Sequence, residues 1–312
     1  MDMSNLKVDA VIPAYKPDDS LAKLLTQLQK QSVPLNRVII INTEKEFFNP
    51  QEYPLWDRVE IHHITKEEFD HAATRNMGMQ MSDADYVLFM TMDAVPVDEY
   101  LVDRLLDGFN NKEIPVAVTY ARQIPKNDCR MAEKYTREFN YPDKDRIQTA
   151  GMIKELGIKT YFCSDVCAMY DRAVYNKLGG FVKRAIFNED MFFAAKAVNA
   201  GYGIGYCAEA GVIHSHNYSL KQQFSRNFDI GVSQAEHPDI FEKVSSESEG
   251  LKLVKSTAAY LVKHGRWYDV PYLILSSGFK YAGFRLGKRY ERLSKKRILK
   301  YTMNKNYWRD LN

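Results

Sequence analysis

The sequence predicts an α/β fold followed by a helical C-terminal appendage. Short runs of apolar residues alternate with segments that repeat leucines at helical spacing. The most informative run is Tyr86–Pro96, YVLFMTMDAVP, in which an apolar stretch reaches Thr91 and is followed by Asp93. Such a stretch is typical of a central parallel strand that is buried on both faces. Asp93 is therefore expected at the carboxyl end of a strand, where open α/β sheets bind their ligands.

Two interpretations of Asp93 follow from this stretch. A lone acid at the ligand edge favours a metal or phosphate site. Asp93 also precedes Pro96 and a helical pattern that begins at Leu101, which is the position of a helix N-cap. The stretch alone leaves both interpretations open.

Composition indicates a soluble globular protein with an uneven charge distribution. The chain has 312 residues, 45% of them hydrophobic, and a net charge of +3. Lys280–Lys300 contains nine Lys or Arg residues and one acid, Glu291. The four cysteines lack CxxC spacing and the first ten residues lack a basic and apolar leader, so we expect a cytoplasmic protein with reduced thiols.

The first elements form a β-α-β unit. Val8–Ala14 and Arg37–Asn42 are predicted strands, and leucines at helical spacing between Leu21 and Leu28 predict the helix that joins them. A third short strand is expected at Val59–Ile64. Polar residues at the carboxyl edge of such a unit are typical of nucleotide binding, although many α/β domains share this layout.

A short helix predicted at Ala72–Met81 places Arg75 near the sheet edge. Its guanidinium could pair with a phosphate through two parallel hydrogen bonds. The alternative, which the spacing slightly favours, is a surface ion pair with Asp70, Asp83 or Asp85.

The following segment contains a strand at Pro115–Ala121, an irregular insertion and a further strand. The insertion, Arg122–Thr160, is interpreted either as a lid over the substrate or as surface decoration. Tyr161–Tyr170 is predicted as the further strand and contains Ser164 and Asp165.

Two later motifs carry candidate chemistry. Glu189 and Asp190 begin a helix, where acids complement the helix dipole, and a carboxylate held over a cleft could also accept a proton from an attacking hydroxyl. His214 and His216 are two residues apart, so a strand would point both to one face. That arrangement fits a metal ligand and its neighbour, or simply two hydrogen-bonded histidines.

The C-terminal region is predicted to be helical. Val244–Gly250 has the composition of a linker, and Leu251–Asn312 combines basic with aromatic residues. This combination favours peripheral contact with an anionic membrane. A solvated helix face, a dimer contact and nucleic acid are the alternatives by charge alone. Val270–Phe284 is too short and too polar to span a bilayer.

Several motifs together resemble the family 2 glycosyltransferases of GT-A fold, and in particular bacterial rhamnosyltransferases of cell-wall or capsular polysaccharide synthesis. The resemblance extends from about Val8 to Gly231. The motifs that carry it, in order, are VIPAYKP, RVIIINTE, ATRN, FMTMDAVP, SDVCAMYDRAVYNKLGGF, FNEDMFFAAKAVNAGYGIGY and VIHSHNYS.

The resemblance implies a Rossmann-like nucleotide-sugar-binding catalytic domain at residues 1–243 and a basic, aromatic helical region at residues 244–312. It also implies a set of site residues. The donor would be bound by Pro13, Tyr15, Glu44, Arg75 and Asp93. Asp93 would correspond to the last acid of the DxD-type motif that binds Mg2+ or Mn2+, with His216 or His214 completing the metal site.

By the same resemblance, Asp190 would be the general base and Glu189 its neighbour, while Ser164 and Asp165 would face the acceptor or the transferred sugar. The chain departs from the family pattern at two places. Thr91 stands where a second acid is usual, which leaves the strength of metal binding open, and INTE replaces a DxGS-like ending after the second strand.

These expectations combine into one functional hypothesis. The protein would be an inverting glycosyltransferase that transfers L-rhamnose from dTDP-rhamnose to a lipid-linked cell-wall or capsular polysaccharide, at the inner face of the cell membrane. The alternatives are an enzyme that uses a UDP-hexose donor, and a non-catalytic nucleotide-sugar-binding scaffold subunit. We expect no nucleic-acid partner, and the sequence leaves homo-oligomerisation open.

Overall fold

The computed structural model describes residues 6–241 and 247–310, which form two compact units. The first unit contains the residues up to 124 together with 141–184 and 189–214. The second contains residues 125–140, 185–188 and those from 215 onward. The predicted domain boundary between residues 243 and 244 lies outside the described residues and stays a prediction.

The first unit is built on a mixed sheet whose order is β3-β2-β1-β4-β8-β6-β9-β5, with β7 also paired to β9. Its strands, in chain order, are β1 Val8–Tyr15, β2 Arg37–Thr43, β3 Val59–Ile64, β4 Tyr86–Met90, β5 Val95–Pro96, β6 Val116–Ile124, β7 Arg146–Gln148, β8 Cys167–Asp171 and β9 Gly203–Ile213. The predicted α/β class and the strands of the β-α-β unit are thereby confirmed.

Strand directions bring many chain segments to one edge of this sheet. β1 is parallel to β2 and β4, and β2 is parallel to β3. β8 is antiparallel to both β4 and β6, while β6 is parallel to β9. The carboxyl ends of β1 to β4, β6 and β9 therefore share an edge with the beginning of β8. We call this the ligand edge.

The helices described in the chain are α1 Asp19–Gln29, α2 His71–Met81, α3 Leu101–Asp107, α4 Met131–Asn140, α5 Ile153–Leu156, α6 Arg172–Lys177, α7 Glu189–Asn199, α8 Leu220–Glu236, α9 Pro238–Phe241, α10 Glu247–Lys263, α11 Val270–Gly287 and α12 Lys295–Tyr301. Short 3-10 turns occur at Lys45–Phe47, Pro50–Glu52, Ala150–Met152, Gly157–Tyr161, Trp267–Asp269, Tyr290–Arg292 and Lys305–Trp308.

Helix α1 shows how the sequence places a helix on the sheet. The Asp18 side chain accepts a hydrogen bond from the Ser20 backbone N–H at 2.8 Å and so caps the helix. The helix then buries four leucines at i, i+3, i+4 and i+7 in the main core of the unit, namely Leu21, Leu24, Leu25 and Leu28. Burial of one such side chain contributes about 1.5–3 kcal/mol, so this leucine face is what fixes the helix to the sheet.

The predicted strand at Tyr161–Tyr170 is wrong in its first half. Gly157–Tyr161 is a 3-10 turn, and β8 begins only at Cys167. The Cys167 N–H donates to the Ser164 carbonyl at 3.1 Å, which closes a turn just before the strand. Ser164 and Asp165 therefore lie in a loop at the ligand edge.

The second unit is helical, and its helices α8 and α11 pack closely through glycines. A Cβ atom at Gly283 would lie 2.2 Å from the Phe224 carbonyl oxygen, and one at Gly287 would lie 2.1 Å from that of Phe228. No larger residue fits at these two positions unless the helices separate. A small core surrounds this contact and consists of Ile186, Phe228, Val232, Ile298 and Trp308.

The C-terminal region is predicted to begin with a linker and to contain no membrane-spanning segment. The predicted linker Val244–Gly250 is helical from Glu247 onward, since α10 begins there, and residues 244–246 lie outside the described residues. Within the described ranges, no helix combines the length and the apolarity needed to cross a membrane.

Candidate functional site

Three side chains at the carboxyl ends of separate strands meet at the ligand edge. Asp93 follows β4, Gln123 is the penultimate residue of β6, and His214 directly follows β9. The Nδ1 atom of His214 lies 3.0 Å from Gln123 Oε1, and its Nε2 atom lies 3.5 Å from Asp93 Oδ2. The ends of β4, β6 and β9 therefore hold one carboxylate and one imidazole side by side.

The hydrogen bonds of Gln123 determine the tautomer of His214. The Gln123 Nε2 amide donates to the Ser164 hydroxyl at 3.0 Å and also to the Tyr141 hydroxyl. Its Oε1 atom is thus an acceptor, so His214 Nδ1 carries the hydrogen that it donates. In the neutral imidazole, the Nε2 lone pair is then directed toward the side of Asp93.

This donor set fits a divalent metal ion. An imidazole lone pair and a carboxylate oxygen at 3.5 Å repel each other unless a proton or a cation lies close to both. Metal-binding histidines commonly donate their other ring N–H to an acceptor, as His214 does to Gln123. Thr91 replaces the second acid of the family pattern, and its buried hydroxyl makes no hydrogen bond to the described part of the chain.

The alternative interpretation of Asp93 as a helix N-cap is wrong. Helix α3 begins at Leu101 with Tyr100 as its N-cap residue, and strand β5 lies between Asp93 and this helix. Strand β5 consists of only two residues, Val95 and Pro96, and both pair with β9.

A buried ion cluster lies at the start of β8. Arg75 of α2 contacts Asp165 Oδ2 through Nε at 3.1 Å and Glu189 Oε1 through Nη1 at 3.0 Å. The Arg75–Asp165 contact is an ion pair without the angle of a hydrogen bond. All three residues are at most 6% exposed. The hydroxyl of Tyr170 donates to Asp165 Oδ1 at 2.7 Å.

This cluster overturns the surface ion pair that the spacing favoured for Arg75. The buried side chain forms its ion pairs with Asp165, in the loop before β8, and Glu189, at the start of α7, rather than with Asp70, Asp83 or Asp85. The predicted contact of Arg75 with a donor phosphate stays a prediction.

Asp190 is the more accessible acid of the helix-initiating pair. It is half-buried, whereas Glu189 is buried against Arg75. Asp190 Oδ2 accepts the Asp165 backbone N–H at 3.2 Å, and its Oδ1 accepts that of Met191 at 2.7 Å. Burial raises the pKa of Asp190 well above its usual range, and the neighbouring Asp165 and Glu189 raise it further.

The pKa of Asp165 is raised as well, to about 7, chiefly by burial. Arg75 opposes this shift and Glu189 adds to it. Asp165 and Glu189 thus contact one guanidinium, and burial together with the mutual repulsion of the three acids favours retention of a proton in this cluster. A carboxylate with a raised pKa is suited to accept a proton from a hydroxyl.

One continuous set of contacts joins the two candidate acids, and we call it the contact chain. It runs from Asp93 through His214 and Gln123 to the Ser164 hydroxyl. The next residue, Asp165, donates its backbone N–H to Asp190. The sequence separates Asp93 from Asp190 by almost a hundred residues, and the fold connects them along one edge within the first unit.

The predicted nucleotide-binding residues lie at the ends of β1 and β2. Tyr15 is 39% exposed, and its ring meets that of Phe47 edge to face at a centroid distance of 5.6 Å. The Lys16 ammonium lies 4.5 Å from the Phe47 centroid. Pro13 lies within β1 next to Ile41 of β2, and the Glu44 carboxylate accepts the Lys66 backbone N–H. These aromatic and polar groups form an open corner at the ligand edge.

Backbone strain is concentrated near this edge. Among the described residues, the non-glycine residues with positive φ are Lys16 at 47°, Glu44 at 65° and Asn188 at 66°. Lys16 and Glu44 directly follow β1 and β2, and Asn188 directly precedes Glu189. Such conformations cost about 1–3 kcal/mol each and are frequent at functional sites.

The structure corrects the argument that placed His214 and His216 on one face of a strand. β9 ends at Ile213, so neither His214 nor His216 lies in a strand, and the argument that a strand points both to one face is wrong. His214 belongs to the first unit and His216 to the second, where its ring stacks on that of Tyr218 at 4.9 Å. The role of His216 as a ligand stays a prediction.

Sequence analysis did not identify Gln123, Tyr141 or Tyr170. Gln123 and Tyr141 fall in the predicted insertion Arg122–Thr160, and Gln123 is in fact part of β6. The strand pattern of Pro115–Ala121 could have been extended to Gln123, which would have placed an amide at the ligand edge. Tyr141 and Tyr170 contact the site only through tertiary packing.

Comparisons with known proteins identify the family of the chain. The profile of the family described as Glycosyl transferase family 2 matches residues 9–179. The O-antigen chain rhamnosyltransferase RfbN of Salmonella typhimurium is 34% identical over 309 residues, which cover 98% of this chain and 97% of that protein. The O-antigen chain rhamnosyltransferase WbaN of Salmonella anatum is 38% identical over 250 residues, covering 80% and 78% of the two chains.

Two solved structures of similar fold contain a bound nucleotide sugar. The mannosyltransferase PcManGT of Pyrobaculum calidifontis, in complex with GDP-Man and Mn2+, has a TM-score of 0.61 at 13% identity and covers 93% of this chain and 89% of its own. Residues 1–349 of S. aureus TarS in complex with UDP-GlcNAc have a TM-score of 0.51 at 13% identity, with 92% of each chain covered. These likenesses confirm the predicted GT-A fold.

Proposed function

Because the chain belongs to glycosyltransferase family 2, we propose that it transfers a sugar from a nucleoside diphosphate donor to a hydroxyl group of a glycan, with inversion at the anomeric carbon. The observation that carries this proposal is the contact chain. Along one edge of the sheet it joins Asp93, an acid suited to a metal ion that would neutralise the donor diphosphate, and Asp190, an acid suited to proton transfer.

Asp190 is the general base in this proposal. Direct displacement at an anomeric carbon requires that the attacking hydroxyl lose its proton on the face opposite to the leaving diphosphate. The raised pKa of Asp190 makes it a stronger base than an exposed aspartate, while its two backbone hydrogen bonds orient the carboxylate. No covalent intermediate with the protein is required.

Asp93, His214 and, two residues further along the chain, His216 would hold a divalent metal ion, Mg2+ or Mn2+. When bound, such an ion neutralises charge that develops on the leaving diphosphate. Gln123 orients His214 for this task through its Oε1 atom. The PcManGT structure contains Mn2+ together with GDP-Man, which supports metal binding here.

We assign positioning roles to the buried ion cluster. Arg75 holds Asp165 and Glu189, and Asp165 in turn donates its backbone N–H to Asp190. Ser164 and Asp165 are predicted to face the acceptor or the transferred sugar. Because Asp165 is buried in the ion cluster, we assign this role to the Ser164 hydroxyl at the ligand edge. Tyr15, Pro13 and Glu44 would contact the base and ribose of the donor.

The donor is proposed to be dTDP-L-rhamnose, because both curated relatives carry the name rhamnosyltransferase and one of them aligns over nearly the whole chain. Their names also support an O-antigen type of polysaccharide, whose growing glycan is lipid-linked in this proposal. The non-catalytic scaffold hypothesis is set aside, since the chain belongs to an enzyme family.

The second unit carries the proposed contact with the membrane at the cytoplasmic face. On α11, the face opposite the buried glycines Gly283 and Gly287 exposes apolar side chains. Ile274 is 62% exposed and Tyr281 56%, and Trp267, just before this helix, is 69% exposed. An exposed apolar helix face beside a basic segment suits the surface of an anionic bilayer.

The catalytic proposal is tested by release of nucleoside diphosphate from a panel of dTDP- and UDP-sugars. The wild-type protein is expected to turn over dTDP-L-rhamnose in the presence of Mn2+ or Mg2+, with lipid-linked or oligosaccharide acceptors, and to lose turnover with a chelator. The Asp190→Asn variant should lose about 10²- to 10⁴-fold in kcat because it removes the base, while binding of dTDP stays unchanged. Absence of turnover with every donor and acceptor would refute the function.

The membrane proposal is tested with vesicles. An Ile274→Glu, Tyr281→Glu variant should sediment less with phosphatidylglycerol vesicles than wild type, because it places charge on the exposed face. Surface substitutions are preferred to deletion of the C-terminal region, since α11 packs against α8 and its removal would uncover the core of the unit. Equal sedimentation of both proteins would exclude this face as the contact.

A further inference from the structure

The second unit contains a cavity of about 420 Å³ that is lined by its own residues. Helix α4, the segment His216–Tyr218, helix α8 and the region from Arg266 through α11 contribute to the wall. This volume lies in the usual range of small-molecule sites, about 300–1,000 Å³.

The carboxylates in the wall are already neutralised. Glu133 pairs with Arg137 one helical turn later, with 3.0 Å between Oε1 and Nη2. Asp269 pairs with Arg266, with 2.8 Å between Oδ2 and Nη2. Both acids thus form their ion pairs with residues other than Arg130 and Lys280.

Two cations in the wall, Arg130 and Lys280, lack a short ion pair with the described residues. Within the described ranges, neither Arg130 nor Lys280 has an ion pair within 4.0 Å. The Arg130 guanidinium lies 4.8 Å from the centroid of the Tyr272 ring and donates to its hydroxyl, which is a neutral partner. Burial lowers the pKa of Lys280, and Arg226 and Arg137 lower it further against an opposing effect of Glu133. A desolvated ammonium without a partner is costly, and an anionic ligand would remove that cost.

The remaining wall is suited to a sugar. The wall contains the rings of Tyr218, which stacks on His216, and Tyr272, which carries the Arg130 guanidinium, together with the Gln223 amide. Pyranoses pack on aromatic rings and form hydrogen bonds with amides. Positive charge together with aromatic and amide groups matches a sugar that carries phosphate.

We propose that this cavity binds the sugar diphosphate end of the lipid-linked acceptor, with Arg130 and Lys280 contacting the phosphate groups. The inference rests on the proposed function, because it takes the acceptor from there. The donor also carries a diphosphate, so the experiments must distinguish the two sources.

The first experiment measures binding without turnover. Inorganic pyrophosphate is titrated into the full-length protein by calorimetry, with a chelator present to exclude metal-dependent binding. The Arg130→Gln, Lys280→Met variant is expected to bind at least about tenfold more weakly, because charge-assisted contacts are lost. The matched control, Lys263→Met with Arg289→Gln, removes two exposed cations that do not line the cavity and should bind like wild type.

Three results of this titration would overturn the proposal. Equal binding by wild type and the Arg130→Gln, Lys280→Met variant, or no binding by wild type, overturns the proposal. Displacement of pyrophosphate by dTDP assigns the anion to the donor and also overturns it. Thermal unfolding midpoints of both variants are compared with wild type, and Arg130→Lys, Lys280→Arg serves as the charge-conserving pair, which should retain binding.

The second experiment uses turnover with paired acceptors. Each acceptor sugar is supplied as a farnesyl diphosphate glycoside and as a neutral octyl glycoside. The Arg130→Gln, Lys280→Met variant should raise KM for the diphosphate acceptor at least about tenfold, with KM for the octyl glycoside and for the donor unchanged. Equal losses with both acceptors overturn the proposal. If wild type transfers to no acceptor, the proposed function fails, while the pyrophosphate titration still decides whether the cavity binds the anion.

Discussion

Replacing Gln123 is the most direct test of how the site is assembled. Its Oε1 atom accepts from His214 Nδ1 at 3.0 Å, and its Nε2 donates to Ser164 and Tyr141. Gln123→Leu keeps the approximate volume of the side chain and removes all three contacts. The His214 N–H then lacks its acceptor in a buried place, since this residue is only 5% exposed.

The expected magnitude follows from these contacts. An unsatisfied buried donor costs about 1–3 kcal/mol of the free energy of unfolding. Loss of the acceptor that orients a metal-binding histidine weakens metal affinity about 10- to 100-fold. We therefore expect Gln123→Leu to raise the Mn2+ concentration for half-maximal activity by that factor and to lower the unfolding midpoint by a few degrees.

The control is Gln123→Glu, which keeps an oxygen acceptor for His214 Nδ1 and lets the Ser164 and Tyr141 hydroxyls donate instead. It should retain near wild-type Mn2+ activation. The assay is diphosphate release at saturating donor across a Mn2+ titration, with donor KM measured in parallel. An unchanged Mn2+ requirement in Gln123→Leu would refute the idea that Gln123 positions a metal ligand.

Two further predictions concern the acids of the site. Thr91→Asp, which restores a second acid beside Asp93, should lower the Mn2+ requirement about tenfold or more; a higher requirement would show that residue 91 does not face the metal. Because the pKa of Asp165 is raised to about 7 from 3.8, the folded state keeps a proton that the unfolded state releases, so its contribution to stability is full below about pH 4 and is lost as pH rises toward 7. The free energy of unfolding should fall across this window by up to about 1.4 kcal/mol per pH unit for this group, and Asp165→Asn should show a shallower slope in denaturant titrations at several pH values. The same slope in both proteins would mean that another group holds the proton.

Much of the fold was predictable because it depends on local patterns. Buried parallel strands such as Tyr86–Met90 need apolar residues at every position, so they are visible in any sequence window. The start of α7 at Glu189 follows from acids before an apolar helical repeat. The strand predicted across Ser164 and Asp165 failed because a buried loop can be as apolar as a strand, and only backbone hydrogen bonds, such as that from the Cys167 N–H to the Ser164 carbonyl, distinguish the two.

The sequence by itself determined the fold class, the family and the identity of the acids at the ends of strands and helices, because hydrophobic periodicity and ordered motifs are properties of neighbouring residues. Only the tertiary structure decided the partners of those acids. It buried Arg75 between Asp165 and Glu189, left Asp190 as the accessible carboxylate, and used Gln123 to link His214 with Ser164. The physical reason is that ion pairs and hydrogen bonds form between atoms that strand order brings within about 3 Å, and strand order joins residues that lie far apart in the chain.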